Sequence, residues 1–199
     1  MLDVHHIDLI ETIKKEVPVT KLEASIIQSF FTEKKYKRGA LLLQAGDVAH
    51  EVFFVVKGAL RQFYVDEGGH ERTCHFTFEK DFVTDLESFS QQIKSPSSIK
   101  TLVNTTCLCI RHDELKSLLN QSPAMAEFFR ICIQGVAAKS MQRTKSLLYF
   151  SPEKQFIELL EERPEIFRRV PQHYIAQYLG VAPESLSRIK KRLMVQAKS

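Results

Sequence analysis

Gln172-His-Tyr-Ile-Ala-Gln-Tyr-Leu-Gly-Val-Ala-Pro-Glu-Ser-Leu-Ser-Arg-Ile-Lys-Lys-Arg-Leu193 is the stretch whose reading decides the fold. It reads as a helix, a sharp turn at Gly180 and a second helix with a basic end. Ala176 is small enough for two helices to cross closely, and Gly180 supplies a turn conformation that most residues resist. Ile175, Leu179, Val181, Leu186, Ile189 and Leu193 recur at spacings that place them between the two helices. The second helix then turns Glu184, Ser185 and Arg188 outward, side chains that a DNA major groove accepts. Pro183 suits the first position of that helix, while Ala182 stands where a capping Ser or Thr would serve better.

The charge distribution agrees. The formal net charge of the 199 residues is +4. Residues 168–199 hold seven Lys or Arg (168, 169, 188, 190, 191, 192 and 198) against one acid, Glu184, so this segment carries +6 and the rest of the chain −2. A basic end on a faintly acidic body predicts a local polyanion site. Lys190, Lys191 and Arg192 are its expected phosphate contacts. Arg168, Arg169, Gln172 and His173, bordering the first helix, are expected to join them.

Upstream the texture changes twice. A helical segment over about 4–15 precedes Thr20-Lys-Leu-Glu23, a capping box that opens a helix to about Phe31. From Tyr36 to Ile110 short apolar runs alternate with turn residues at Gly39, Gln44–Asp47, Lys57-Gly58, Asp66–Gly69 and Glu79–Asp81. Residues 51–56 and 59–65 read as strands, and Gly68-Gly69 joins the second to 70–78 as a hairpin. This spacing predicts a β-roll or jelly roll. Ser122-Pro123 then opens a long helix to about Tyr149, and Ser151-Pro152 opens the next. Met125, Phe128, Phe129, Cys132 and Val136 form a stripe on the long helix, suited to a second copy of the chain or to the chain's own β-roll. The expected class is α+β: a sensing domain over 1–121, a dimerisation helix over 122–150 and a helix-turn-helix domain over 151–199.

Other chemistries find little support. Cys74, Cys107, Cys109 and Cys132 form no C-x-x-C pair and are expected to be buried, reduced thiols. No apolar run reaches membrane-spanning length and no signal region precedes the first helix, so the cytosol is the expected compartment and no membrane partner is expected. A cupin-type metal site needs a His-x-His pair. His70 and His75 are five apart, on opposite faces of a strand. No nucleophile and base come together, and Gly68-Gly69 opens no helix as a phosphate loop would. Neither an enzyme nor a metal or cofactor is expected.

The order of β-roll, long helix and helix-turn-helix resembles the CRP/FNR family of bacterial transcription regulators. The resemblance spans nearly the whole chain and rests on Lys37-Arg-Gly39, Ala45-Gly-Asp47, Phe54–Gly58, Asp81-Phe82 and Tyr174–Leu193. It implies a cyclic-nucleotide-binding-like sensor domain, a homodimer paired along the long helix, a palindromic double-stranded DNA site and RNA polymerase as a further partner. It also places Glu184 and Arg188 where the family reads bases. An alternative is a small-molecule sensor acting through protein contacts.

The chain departs from the family at three places. Cyclic-nucleotide members hold their ligand with a Gly-Glu and an Arg-Ser pair. Here Thr84 replaces the glycine, Asp85 the glutamate, and Pro96 the arginine. Thr84, Asp85, Leu86, Pro96, Ser97 and Ser98 are thus the expected effector-pocket residues, with Lys94 and Lys100 as substitute cations. The effector is unknown, and cAMP is not expected to fill the role. An iron–sulfur member would need an N-terminal cysteine cluster, and a haem member axial ligands beyond the lone His75. Finally, the residues after Leu193 are too few for the two-stranded wing that usually follows the recognition helix, which predicts a truncated wing.

Overall fold

The computed structural model describes residues 4–196. Two helices lead in, α1 (Val4–Lys14) and α2 (Lys21–Phe30). Thr20 caps α2 as its sequence requires: the Thr20 hydroxyl accepts from the Glu23 amide at 3.2 Å, and the Glu23 carboxylate accepts from the Thr20 amide at 3.1 Å. Eight strands follow: β1 (Thr32–Tyr36), β2 (Leu41–Leu43), β3 (Glu51–Lys57), β4 (Leu60–Val65), β5 (Glu71–Thr77), β6 (Phe82–Val83), then, after helix α3 (Leu86–Gln91), β7 (Ser97–Thr101) and β8 (Thr105–Arg111). They form two four-stranded sheets, ordered β1-β8-β3-β6 and β2-β7-β4-β5. Strands distant in sequence lie side by side, the crossed connectivity of a jelly roll.

β3 sits between β8 and β6 and is covered on both faces, which is why Val52, Phe53, Phe54 and Val55 are all buried rather than alternating. Phe53 meets Tyr36, whereas Phe54 meets Phe82, which in turn meets Phe128. The turn after β3 depends on Gly58. Its φ is +124°, and a Cβ there would lie 2.8 Å from the Thr105 Cα. Only glycine meets both demands. The β4–β5 hairpin closes as its sequence predicts, with the Asp66 amide donating to the His70 carbonyl at 2.9 Å and Gly69 at φ +79°.

Six helices complete the chain: α4 (His112–Gln121), α5 (Pro123–Tyr149), α6 (Pro152–Glu162), α7 (Pro164–Arg169), α8 (Gln172–Leu179) and α9 (Pro183–Gln196). Ser122 and Ser151 cap α5 and α6 through hydrogen bonds from the Met125 and Lys154 amides. No strand follows α9 among the described residues.

The chain forms two compact units, one of residues 1–62 and 76–137, the other of 63–75 and 138–199. The division thus falls inside α5, with the hairpin tip grouped in the second unit. Each half of α5 has its own attachments. In the first unit Met125 and Phe128 lie in the core with Phe54, Leu108 and Leu118, and the Glu23 carboxylate accepts from the Ala124 amide at 3.1 Å. In the second, Gln142 donates to Glu162 at 2.7 Å and Ser146 to Glu158 at 3.2 Å.

Of the two covers expected for the α5 stripe, the chain's own core takes most of it. Met125 and Phe128 are 3% and 4% exposed and fill the chain's own core, and Phe129 and Cys132 pack partly against it. Of the five, only Val136 is exposed, and the open apolar side chains lie further along, at Met141, Leu147, Leu148 and Tyr149.

Candidate DNA interface and effector region

α8 and α9 are built as the opening stretch predicts. Ile175, Ala176, Leu179, Leu186 and Ile189 are buried, and Val181 and Leu193 half-buried. α8 ends at Gly180, which adopts the left-handed conformation at φ +69° and donates its amide to the Gln177 carbonyl at 3.2 Å. The next amide, on Val181, closes back onto the Ala176 carbonyl at 3.0 Å, so the last turn of α8 is sealed. α9 starts at Pro183, and the Ala182 carbonyl accepts from the Ser185 and Leu186 amides.

With Leu186 and Ile189 turned inward, the exposed face of α9 carries Glu184, Ser187, Arg188 and Lys191, at spacings of three and four residues. Ser187 was missed by the sequence reading, although counting outward from the two buried positions would have found it. Ser185 is half-buried, and its hydroxyl accepts from Arg188 Nη2 at 3.3 Å. It therefore helps hold Arg188 rather than standing beside it as an independent reader. Lys190 is half-buried. Arg192 departs from expectation more clearly, being exposed but ion-paired with Glu153 at 2.9 Å. Arg168, Arg169, Gln172 and His173 are all exposed, the two arginines in the last turn of α7 and the other two at the start of α8. The His173 and Tyr174 rings are 3.9 Å apart.

The effector residues are arranged differently. Asp85 is 6% exposed and caps α3, accepting from the Ser88 amide at 3.1 Å. Its other oxygen accepts from the Ser95 hydroxyl at 2.8 Å and the Ser97 hydroxyl at 2.6 Å. Gln62 donates to the same Ser97 hydroxyl at 2.8 Å. The carboxylate and both hydroxyls thus satisfy one another inside the protein. Ser95 and Gln62 were not expected here. Burial of Ser95 within the polar Lys94–Ser98 run leaves no periodic trace in the sequence.

The remaining expected pocket residues do not gather around Asp85. Thr84 donates to the Glu51 carbonyl at 2.9 Å, Leu86 is half-buried, and the Ser98 hydroxyl accepts from the Ala45 amide at 2.9 Å. Pro96 and Lys94 are exposed. Lys100 is an odd number of residues from Ser97 on β7, so the two point to opposite faces, and its side chain passes Gly39 instead. Neither lysine takes the place of the missing arginine.

Cys107 and Cys109 are buried and unpaired, and burial pushes each thiol up to about 12, which leaves both unreactive. Among the described residues no group of His, Cys, Asp or Glu is placed to hold a metal ion, and no helix is long and apolar enough to cross a membrane.

Residues 33–122 match the cyclic nucleotide-binding domain family. The chain is 21% identical over 178 residues to the cyclic AMP receptor protein of Thermus thermophilus, covering 84% of this chain and 79% of that one. Among solved structures, FixK2 from Bradyrhizobium japonicum superposes with a TM-score of 0.71 at 18% identity, covering 84% of this chain and 86% of that one. A transcriptional regulator of the CRP/FNR family from Eubacterium rectale gives 0.67 at 18% identity, covering 89% and 85%. The chain thus has the fold of these solved structures, one of them a regulator of the CRP/FNR family. A third match is the c-di-GMP-responsive global regulator CLP of Xanthomonas campestris, with a TM-score of 0.70 at 14% identity over 89% of this chain and 93% of that one. The family match ends at residue 122, one residue before α5.

Proposed function

We propose that this chain is a sequence-specific, homodimeric DNA-binding transcription regulator. The observation that carries this reading is the exposed row Glu184, Ser187, Arg188 and Lys191 on a helix whose opposite side is buried against α8. Arg188 donates to a guanine edge and Glu184 accepts from a cytosine amino group, while Lys191, Arg168 and Arg169 meet phosphates. Two copies pair along α5 through Met141 and Leu148, which share one exposed face, so that the site is palindromic.

Selection from a randomised duplex pool tests the reading. A palindromic consensus is expected, with affinity falling steeply as salt rises. Recovery of no consensus, together with affinity that ignores salt, would instead favour a sensor acting through protein contacts.

The sensor domain, in this reading, does not answer to cAMP or cGMP. Asp85 already takes the two serine hydroxyls, and Pro96 stands where the resemblance expects the arginine that would meet a cyclic phosphate. Calorimetric titration is expected to show no heat of binding at millimolar cAMP or cGMP. Affinity tighter than about 100 μM would overturn this part of the proposal.

A further inference from the structure

α8 ends in a carbonyl that its own helix cannot satisfy, and an arginine from α5 meets it. Arg143 is half-buried and donates Nη2 to the Tyr178 carbonyl, in the last turn of α8. The same guanidinium lies over the Tyr178 ring, 4.2 Å from its centroid. Its Nη1 donates to Gln155 Oε1 at 3.3 Å. Gln155, 6% exposed, then donates Nε2 to the Phe150 carbonyl at 3.0 Å, just beyond the end of α5. One side chain thus joins α5, α6 and α8.

Charge, ring and carbonyl make this a directed contact. The last carbonyls of a helix have no intrahelical donor, and the partial negative charge there favours a cation. A guanidinium can stack on an aromatic face and donate in its own plane at once, which a lysine ammonium cannot do. Gln142 and Ser146, its neighbours on α5, reach only α6. Arg143 ties α5 to α8, and it does so two residues before Gly180, where the turn into α9 begins.

We infer that Arg143 is a positioning residue for DNA recognition: by clamping the C-terminal turn of α8 to α5, it fixes the angle at which α9 presents Glu184 and Arg188. The inference rests on the DNA-binding reading given above. Without the clamp α8 and α9 remain folded on their shared apolar spine, but α9 is no longer held in one orientation. Base contacts need that orientation, whereas phosphate contacts tolerate its loss.

The test compares the wild-type chain with Arg143→Ala, Arg143→Lys and Tyr178→Leu. Each is titrated against the selected duplex and a scrambled duplex of equal length, well below every variant's melting temperature. Arg143→Ala is expected to weaken binding to the selected duplex by about tenfold, the scale of one charge-assisted hydrogen bond, and to leave the scrambled duplex within about twofold. Arg143→Lys and Tyr178→Leu, each keeping part of the clamp, are expected to fall between. A merely structural role would lower melting temperature and active fraction and weaken both duplexes alike, which would overturn the inference. So would an unchanged ratio in all three variants. Wild-type protein that binds neither duplex would sink the DNA-binding reading itself, a result separable from either of these.

Discussion

The polar groups of α9 and those around Asp85 are arranged in opposite ways. On α9 the apolar side chains are consumed inside, and Glu184, Ser187, Arg188 and Lys191 are left facing out. Around Asp85 the polar side chains are turned inward and consume one another, three donors to one carboxylate. The first arrangement leaves hydrogen-bonding capacity for a partner. The second spends it on holding the α3 cap to the β7 strand. Polar residues in a motif-like position are therefore evidence of a binding site only when their capacity is left over.

Asp85→Ala pushes this contrast hardest. It strips the Ser95 and Ser97 hydroxyls and the Ser88 amide of an acceptor inside the first unit, with an expected loss of roughly 3 kcal/mol in urea unfolding. Asp85→Asn, which keeps one acceptor oxygen, should lose less. An Asp85→Ala protein as stable as the wild type would mean that the carboxylate is not structural, and the pocket reading would return.

Arg188→Ala is the mirror experiment and should leave unfolding unchanged. In a competition between the selected site and sites with single base changes, it should lose about 2 kcal/mol of discrimination at one base pair of each half-site. Lys191→Ala should instead weaken all duplexes alike and reduce the salt slope by about one per protomer. If the two variants behave identically, α9 is not oriented as a reading helix.

The same contrast explains what was legible in the sequence. The α8–α9 unit could be read because its pattern is local: Ala176, Gly180 and the apolar spacing all lie within 22 residues, and each has one structural solution. Caps at Thr20, Ser122 and Ser151 were legible for the same reason. The Asp85 network was not, because its members come from residues 62, 85, 95 and 97, brought together only when β4 and β7 pair in the roll. The stripe on α5 was legible only in part. A helical period reports that a face is buried, but Met125 and Phe128 are covered by the chain's own core, and periodicity does not say by whom a face is covered. Arg143 left no trace because a clamp across 35 residues has no repeat to detect.

The smallest expected effect concerns His75, which the sequence offered as a lone ligand candidate. On β5, its imidazole is pushed down to about 4, first by burial and then by the charges of Arg163 and Lys139. A histidine depressed below its ordinary 6.5 binds its proton more weakly in the folded chain than in the unfolded one. Between pH 4 and 6.5 the unfolded state therefore holds the extra proton, and stability must rise with pH across that window. Above 6.5 both states are neutral here and the dependence disappears; below 4 both are protonated and it levels off again. His75→Phe keeps the ring but cannot titrate, so its unfolding free energy should climb less steeply than the wild type's from pH 4.5 to 6.5. Parallel profiles for the two proteins would mean that His75 is solvated as an ordinary surface histidine, and that the hairpin's second strand does not bury it.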